Sequence, residues 1–312
     1  MWKPPRLIPH DTRIDFLRFH KFTFVLSIVM VLCSIGLVMT KGLNFGIDFA
    51  GGIVMEVKSP EPSADLSVMR TDLNNLGLGE VSLQEFGAPD VVLIRIPQQE
   101  GGEAATQQAV TKVQEKLGSA WEYRRTETVG PKVGSELIES AALAFLLAMG
   151  GIMAYIWFRY EWNYGVNALI ALVHDCVTTV GLFALTGMEF NLTTVAAVLT
   201  IAGYSVNDTV VVFDRIRFEL RRYKTMAVRD VINLALNTTL SRTTVTSGLT
   251  LLSVLALAIW GGEAMRGFAV ALIWGIVIGT YSTLFMATPL LLYANLRPGA
   301  KAKAEAADAP SA

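Results

Sequence analysis

Cysteine and charge are both scarce in this sequence. The two cysteines among 312 residues, Cys33 and Cys176, sit inside long apolar runs. That placement argues against a disulfide framework and a zinc site, and both read as small apolar packing residues. Charged residues make up only 17% of the chain against roughly 25% in soluble domains, which excludes a wholly soluble protein. With 26 Lys and Arg against 27 Asp and Glu, no global basic field exists to hold nucleic acid. A GxxxxGK[ST] phosphate loop is also missing, so ATP is not the expected energy source. What the chain has in abundance is apolar length: 52% of its residues are hydrophobic and its mean hydropathy is +0.45.

A bilayer core about 30 Å thick needs about 20 apolar residues in a helix. Five runs free of Asp, Glu, Lys, Arg and His meet this, at 22–40, 140–158, 190–207, 243–262 and 267–296. A further span over 164–187 is apolar except for His174 and Asp175 near its centre. Lys3, Arg6, Arg13, Arg18 and Lys21 precede the first span, and Arg215, Arg217, Arg221, Arg222, Lys224, Arg229 and Arg242 lie between the fourth and fifth, while the alternate connections are poor in basic residues. The positive-inside rule then puts both termini in the cytoplasm. The first run lacks a small-residue cleavage site before Lys41 and is expected to stay as an anchor.

About a hundred mostly polar residues separate the first two spans, and this topology places them outside the cytoplasm. Strands are expected at 53–58, 81–86, 91–96 and 121–129, with helices at 63–76, capped by Ser63, and 103–117. The order βαββαβ is the ferredoxin-like arrangement, which hosts many unrelated functions. The expected fold class is thus a polytopic α-helical membrane protein of six transmembrane helices with a small α+β extracytoplasmic domain between helices 1 and 2. Along the chain this gives a cytoplasmic basic leader (1–21), the first span (22–40), a periplasmic domain (41–136), a five-helix region (137–296) and a disordered cytoplasmic tail (297–312). Spans two to six are expected near 137–158, 164–187, 190–213, 243–262 and 267–293. The stretch 213–241, with Val228, Val231, Ile232, Ala235 and Thr239 at helical spacing, suggests a helix lying on the cytoplasmic surface. Gly51 and Gly52 lead into the insert and Gly130 and Gly134 lead out; hinges and simple membrane-exit turns are equally open readings. Asp48, a lone carboxylate beside glycines, reads as a turn former.

Charge inside a span costs at least about 2.5 kcal/mol per residue on insertion scales and asks for a reason. Asp208 follows Ser205 and Asn207 in GYSVNDTVVVFDR and lies six residues before Asp214, about 9 Å of helix rise deeper. Arg242 opens the fifth span and reaches toward Asp208 if the two helices pack together, with Thr243, Thr244, Thr246 and Ser247 continuing a polar stripe along that span and Thr193 and Thr194 doing so on the fourth. His174 and Asp175 project about 100° apart and are expected to contact different neighbours. A static Asp208–Arg242 ion pair is one reading. A proton site is favoured, because a poorly hydrated interior favours the neutral form of a carboxyl group while arginine stays charged. An intramembrane aspartyl dyad of Asp175 and Asp208 is a third, although the YD and GxGD signatures it calls for are missing. A small-molecule or lipid exporter is a fourth.

FGIDFAGG at 45–52, ALVHD at 171–175, GYSVNDTVVVFDRIR at 203–217 and LSRTTVTS at 240–247 together resemble the SecD/SecF family of protein-export membrane proteins, relatives of the resistance-nodulation-division transporters. The single short insert and the span count resemble its SecF branch. The match departs at Phe218 and Glu219, where many members have Glu-Asn. The resemblance implies a non-enzymatic accessory subunit of the bacterial inner membrane. Such a subunit pairs with SecD into a twelve-span unit, associates with the SecYEG channel and YajC, and contacts the exported polypeptide. It uses protons as coupling ion, with no cofactor and no metal. Carried over, Asp208 is the proton-handling residue and Arg242 its controlling arginine. His174, Asp175, Ser205, Asn207, Thr243 and Thr246 support them, and the second essential carboxylate is expected in the SecD chain.

Overall fold

The structure is a computed structural model, and it describes residues 12–294 and 296. The expected tail at 297–312 and Lys3 and Arg6 of the leader lie outside the described residues. After one 3-10 turn (Phe16–Phe19), α1 (His20–Lys41) leads to a two-residue strand β1 (Asn44–Phe45), a single helical turn α2 (Ile47–Ala50) and the insert. The insert runs β2 (Gly52–Lys58), α3 (Leu66–Asn74), β3 (Ser82–Phe86), β4 (Ala88–Ile96), α4 (Gly102–Leu117) and β5 (Glu122–Val129). Its sheet has the order β3-β4-β2-β5 with every pair antiparallel. The strand alternation decides both faces: Ile53, Met55 and Val57 of β2 join Ile94 and Ile96 of β4 against Met69 and Leu73 of α3 and Val110 and Val113 of α4, while Val54 and Leu93 turn the other way onto Ile47 of α2. The insert therefore stands on the segment that leaves α1. Helix α3 starts later than the sequence suggests, and Asp65 caps it in place of Ser63, accepting from the Ser67 and Val68 amides at 2.9 and 3.1 Å.

Gly52 has φ +117°, and a Cβ there would lie 2.5 Å from the Ile96 carbonyl oxygen. Gly52→Ala is expected to lower stability by about 1–3 kcal/mol, visible as earlier thermal unfolding of the detergent-solubilised chain. An unchanged melting curve would show that the turn relaxes.

Six helices among the described residues are long and apolar enough to cross a membrane. After α1 they are α5 (Pro131–Arg159), α6 (Trp162–Thr186), α7 (Leu192–Arg222), α8 (Val228–Trp260) and α9 (Glu263–Ser282), with β6 (Glu189–Phe190) between α6 and α7 pairing parallel to β1. Helices α6, α7 and α9 form the buried centre, and α1, α5 and α8 present much of their length outward. Small residues let the central helices approach closely. A Cβ on Gly275 of α9 would overlap the Ile201 side chain of α7, and one turn on Gly279 lies against Ser205. Cys176 is buried on α6, but Cys33 lies on the outward face of α1, not in the packing expected of it.

Two departures from the sequence reading have physical causes. No separate surface helix occupies 213–241: α7 runs on to Arg222, and after a short break α8 continues unbroken from Val228 to Trp260. Its first turns hold the chain's leading segment. Asn237 accepts from the Ile14 amide and donates to the Ile14 carbonyl, each at 2.8 Å, and Asn233 and Arg229 both engage Asp15. Second, α9 gives way to a π-helical turn at Thr283–Ala287 and a short α10 (Thr288–Leu290). Pro289 has no N–H for the Phe285 carbonyl four residues earlier. The Thr23 hydroxyl of α1 donates to that carbonyl instead, at 3.1 Å.

Candidate functional site

The polar groups singled out in the spans converge on the centre of the bundle. Asp175 on α6 is fully buried and His174 beside it is 1% exposed. They are hydrogen-bonded to each other, His174 Nδ1 to Asp175 Oδ1 at 2.9 Å, which corrects the expectation of separate neighbours. The other carboxylate oxygen accepts from Ser205 of α7 at 2.6 Å and from Ser282 of α9 at 2.8 Å. Asp175 thus joins the three central helices, and the second imidazole nitrogen, His174 Nε2, is buried without a partner.

One turn along α7 from Ser205, Asp208 is 7% exposed. Its Oδ1 accepts from the Thr243 hydroxyl of α8 at 2.9 Å, and its Oδ2 is buried with no hydrogen-bond partner. The sequence pointed to a meeting of Asp208 with Arg242; here the neighbouring Thr243 occupies that position, and no ion pair joins Asp208 to Arg242 among the described residues. Arg242 is exposed, as is Asn207. Thr246 does not face Asp208: its hydroxyl donates back to the Arg242 and Thr243 carbonyls of its own helix. Asp175 and Asp208 each have their own hydrogen-bond set and none joins the two. A proton-sharing dyad needs such a link, so the geometry speaks against the protease reading.

Several participants escaped the sequence reading. Ser282 lies where α9 enters its π turn, and such turns in helices are frequent at functional sites. Thr209 and Thr283 share a buried hydroxyl pair at 2.8 Å, and Tyr204 of α7 and Thr280 of α9 bond to Ser247 of the expected polar stripe on α8 at 3.1 and 3.0 Å. Isolated Ser, Thr and Tyr in apolar runs carry no spacing that separates such pairs from ordinary helix back-bonding. Glu219 reads as a boundary residue but is 1% exposed and paired with Arg215 four residues before it, at 2.6 Å.

Of the glycines flanking the insert, Gly51 and Gly52 adopt positive φ. Gly130 precedes α5 as its cap and Gly134 lies in its first turns beside the Phe49 carbonyl; neither has positive φ. Asp48 does more than form a turn: its Oδ2 accepts from the Leu192 amide at 2.9 Å, at the start of α7.

Two family models match the chain. Residues 109–297 match the C-terminal model of the protein-export membrane proteins SecD/SecF, and residues 36–59 match the SecD/SecF GG motif. The chain belongs to the SecD/SecF family of protein-export membrane proteins, and like its relatives it is a multi-pass helical membrane protein. Among its members the chain is similar over nearly its whole length to SecF subunits of the protein translocase. It is 45% identical to that of Rhodobacter capsulatus, covering 93% of this chain and 92% of the relative. It is 46% identical to that of Rickettsia conorii, covering 92% and 94%. The crystal structure of SecDF, a translocon-associated membrane protein from Thermus thermophilus, superposes with a TM-score of 0.85 at 32% identity over 95% of this chain. SecDF in its super-membrane-facing form gives 0.71 at 32% identity over 97%. The chain spans about two-fifths of those longer proteins.

Proposed function

We propose that this chain pairs with a SecD partner into a twelve-helix accessory unit of the Sec translocase in the bacterial inner membrane. The unit couples inward proton flow to late-stage export of polypeptides through SecYEG, with YajC as an associate and no cofactor beyond the proton. The observation that carries this is Asp208: a carboxyl group deep in a helix bundle, one oxygen held by Thr243 and the other free to hold a proton. A charged aspartate in that setting is costly and a protonated one is not. Thr243 and Arg242 are adjacent on α8, about 100° apart around it. A rotation of α8 by that angle replaces a neutral hydroxyl opposite Asp208 with a guanidinium, which favours the ionised form and discharges the proton. The chain then acts as a transport subunit, not an enzyme.

Partner association has its own support. Arg242, at the mouth of the fifth span, and Asn207 lie in membrane-crossing helices yet are exposed, and polar side chains turned toward lipid carry a cost. A covering helix from another chain removes that cost. The orientation agrees: the leading segment and the start of α8 clasp each other at one end of the bundle, and the insert stands at the other. The insert's strand order fits a ferredoxin-like domain on the extracytoplasmic side.

The direct test uses inverted membranes depleted of this chain and restored with it. Export is expected to gain an increment that an uncoupler abolishes. An increment that survives the uncoupler would overturn proton coupling, and restoration by this chain in membranes lacking SecD would overturn the pairing.

A further inference from the structure

We propose that Glu189, Arg95 and Asp48 are positioning residues of a mechanical joint that fixes the insert to the start of α7, the helix carrying Asp208. The proposal rests on the proton reading of Asp208 given above, and extends it to residues outside the membrane.

The joint is built from the FGIDFAGG segment and the α6–α7 connection. Asn44 and Phe45 pair in parallel with Glu189 and Phe190, and the Gly46 amide donates to the Phe190 carbonyl at 2.9 Å. Phe45 packs edge-on against Phe49 and Phe190, which are tilted to each other, with centroids 6.1 to 6.2 Å apart. Asp48 accepts the Leu192 amide at the first residue of α7, where a carboxylate also faces the positive end of the helix dipole. From the other side, Arg95 of β4 forms an ion pair with Glu189. A Cβ at position 46 would displace the Glu189 carboxylate from its place beside Arg95, so a side chain there disturbs the joint directly.

These contacts leave α7 little freedom to move without the insert. Asp208 lies sixteen residues beyond Leu192, about 24 Å down a continuous helix, so an axial shift or rotation imposed at the joint arrives at the carboxyl group. The reverse holds equally: a change at Asp208 tilts the platform on which the insert stands.

The charged groups around Glu189 come from four elements. Asp48 is on α2, Arg95 on β4, Arg125 and Glu127 on β5, and Glu263 and Arg266 on α9, lining a cavity of about 560 Å³ between insert and bundle. Burial pushes the Glu189 carboxyl above the usual glutamate range; Arg95 opposes this and Asp48 adds to it. Docked Glu189 therefore holds its proton more tightly than an exposed glutamate. Acidification on this side favours the docked joint, and the bias is lost as pH rises through the raised value. Removing Arg95 takes away an opposing cation and moves that window upward.

The experiment compares Arg95→Glu, Glu189→Arg, the double charge swap, the neutral Arg95→Gln, and Asp208→Asn. Hydrogen exchange at 189–196 and uncoupler-sensitive export in inverted membranes are measured for each. The single reversals are expected to speed exchange at the start of α7 at least ten-fold and reduce the export increment several-fold, with the swap restoring at least half of both. Arg95→Gln is expected to shift the pH dependence of that exchange upward. Asp208→Asn should remove the increment while leaving exchange at 189–196 unchanged, which separates failure of the proton reading from failure of the joint. Single reversals that alter exchange but spare the increment would overturn transmission. A swap that restores neither, or reversals that change nothing, would overturn the pairing itself.

Discussion

Inverted vesicles in which this chain carries Asp208→Asn are expected to lose the whole proton-dependent part of export. Asparagine is nearly isosteric and keeps an oxygen for the Thr243 hydroxyl, so the 2.9 Å bond to α8 survives, but an amide takes up no proton at physiological pH. The energy at stake is about 2.3 kcal/mol per charge per 100 mV, enough to bias a two-state element about fifty-fold per proton. Export in Asp208→Asn membranes is thus expected to match wild type treated with uncoupler, in amounts of assembled protein that immunoblotting shows to be equal. Rates equal to untreated wild type would reject Asp208 as the coupling site. Thr243→Val, which removes the donor and leaves the acid, is expected to give a partial loss and a shifted pH optimum.

The second large effect belongs to Asp175. Asp175→Ala strips acceptors from Ser205 and from His174 Nδ1, both buried. Ser282 keeps an alternative in the Gly279 carbonyl at 3.1 Å. Two orphaned groups at about 1–3 kcal/mol each, plus the void left by the side chain, predict a loss on the order of 3–6 kcal/mol, a large share of the stability of an ordinary domain. The variant is expected to accumulate poorly and to melt early in detergent. Asp175→Asn should recover most of the loss, because its amide can donate to a serine hydroxyl while its oxygen accepts from the imidazole. Equal melting of the alanine variant and wild type would show that Asp175 does not join the helices energetically.

The six helices and the insert's element order are legible in the sequence because each rests on long-range composition: apolar length for the spans, alternation and capping chemistry for the insert. Boundaries fail where local charge misleads. Arg229, Asp230 and Arg242 end an apolar count, yet none of them breaks a helix, so α8 begins fifteen residues before the apolar run at 243 does. His174 and Asp175 diverge at Cβ, as their spacing requires, but their side chains are long enough to meet at the tips. Asp208 is legible as a buried acid. Its partner is not, because the choice between Thr243 and Arg242 depends on the rotation of α8, which no periodicity in that stretch specifies. The π turn beside Ser282 leaves no compositional trace; near it Pro289 offers no N–H to the Phe285 carbonyl, which accepts from the Thr23 hydroxyl of another helix.

The length of α8 has a mechanical consequence. Its 33 residues extend about 50 Å, some 20 Å more than a bilayer core needs, and the surplus is the part gripped by Ile14, Asp15 and Leu17 through Asn233, Asn237 and Arg229. A shaft held at one end cannot spin idly. Under the proposed rotation, exchanging Thr243 for Arg242 would have to drag the leading segment round with it or tear that grip open, and the amino-terminal segment would then act as a brake whose strength sets how readily the engine turns over.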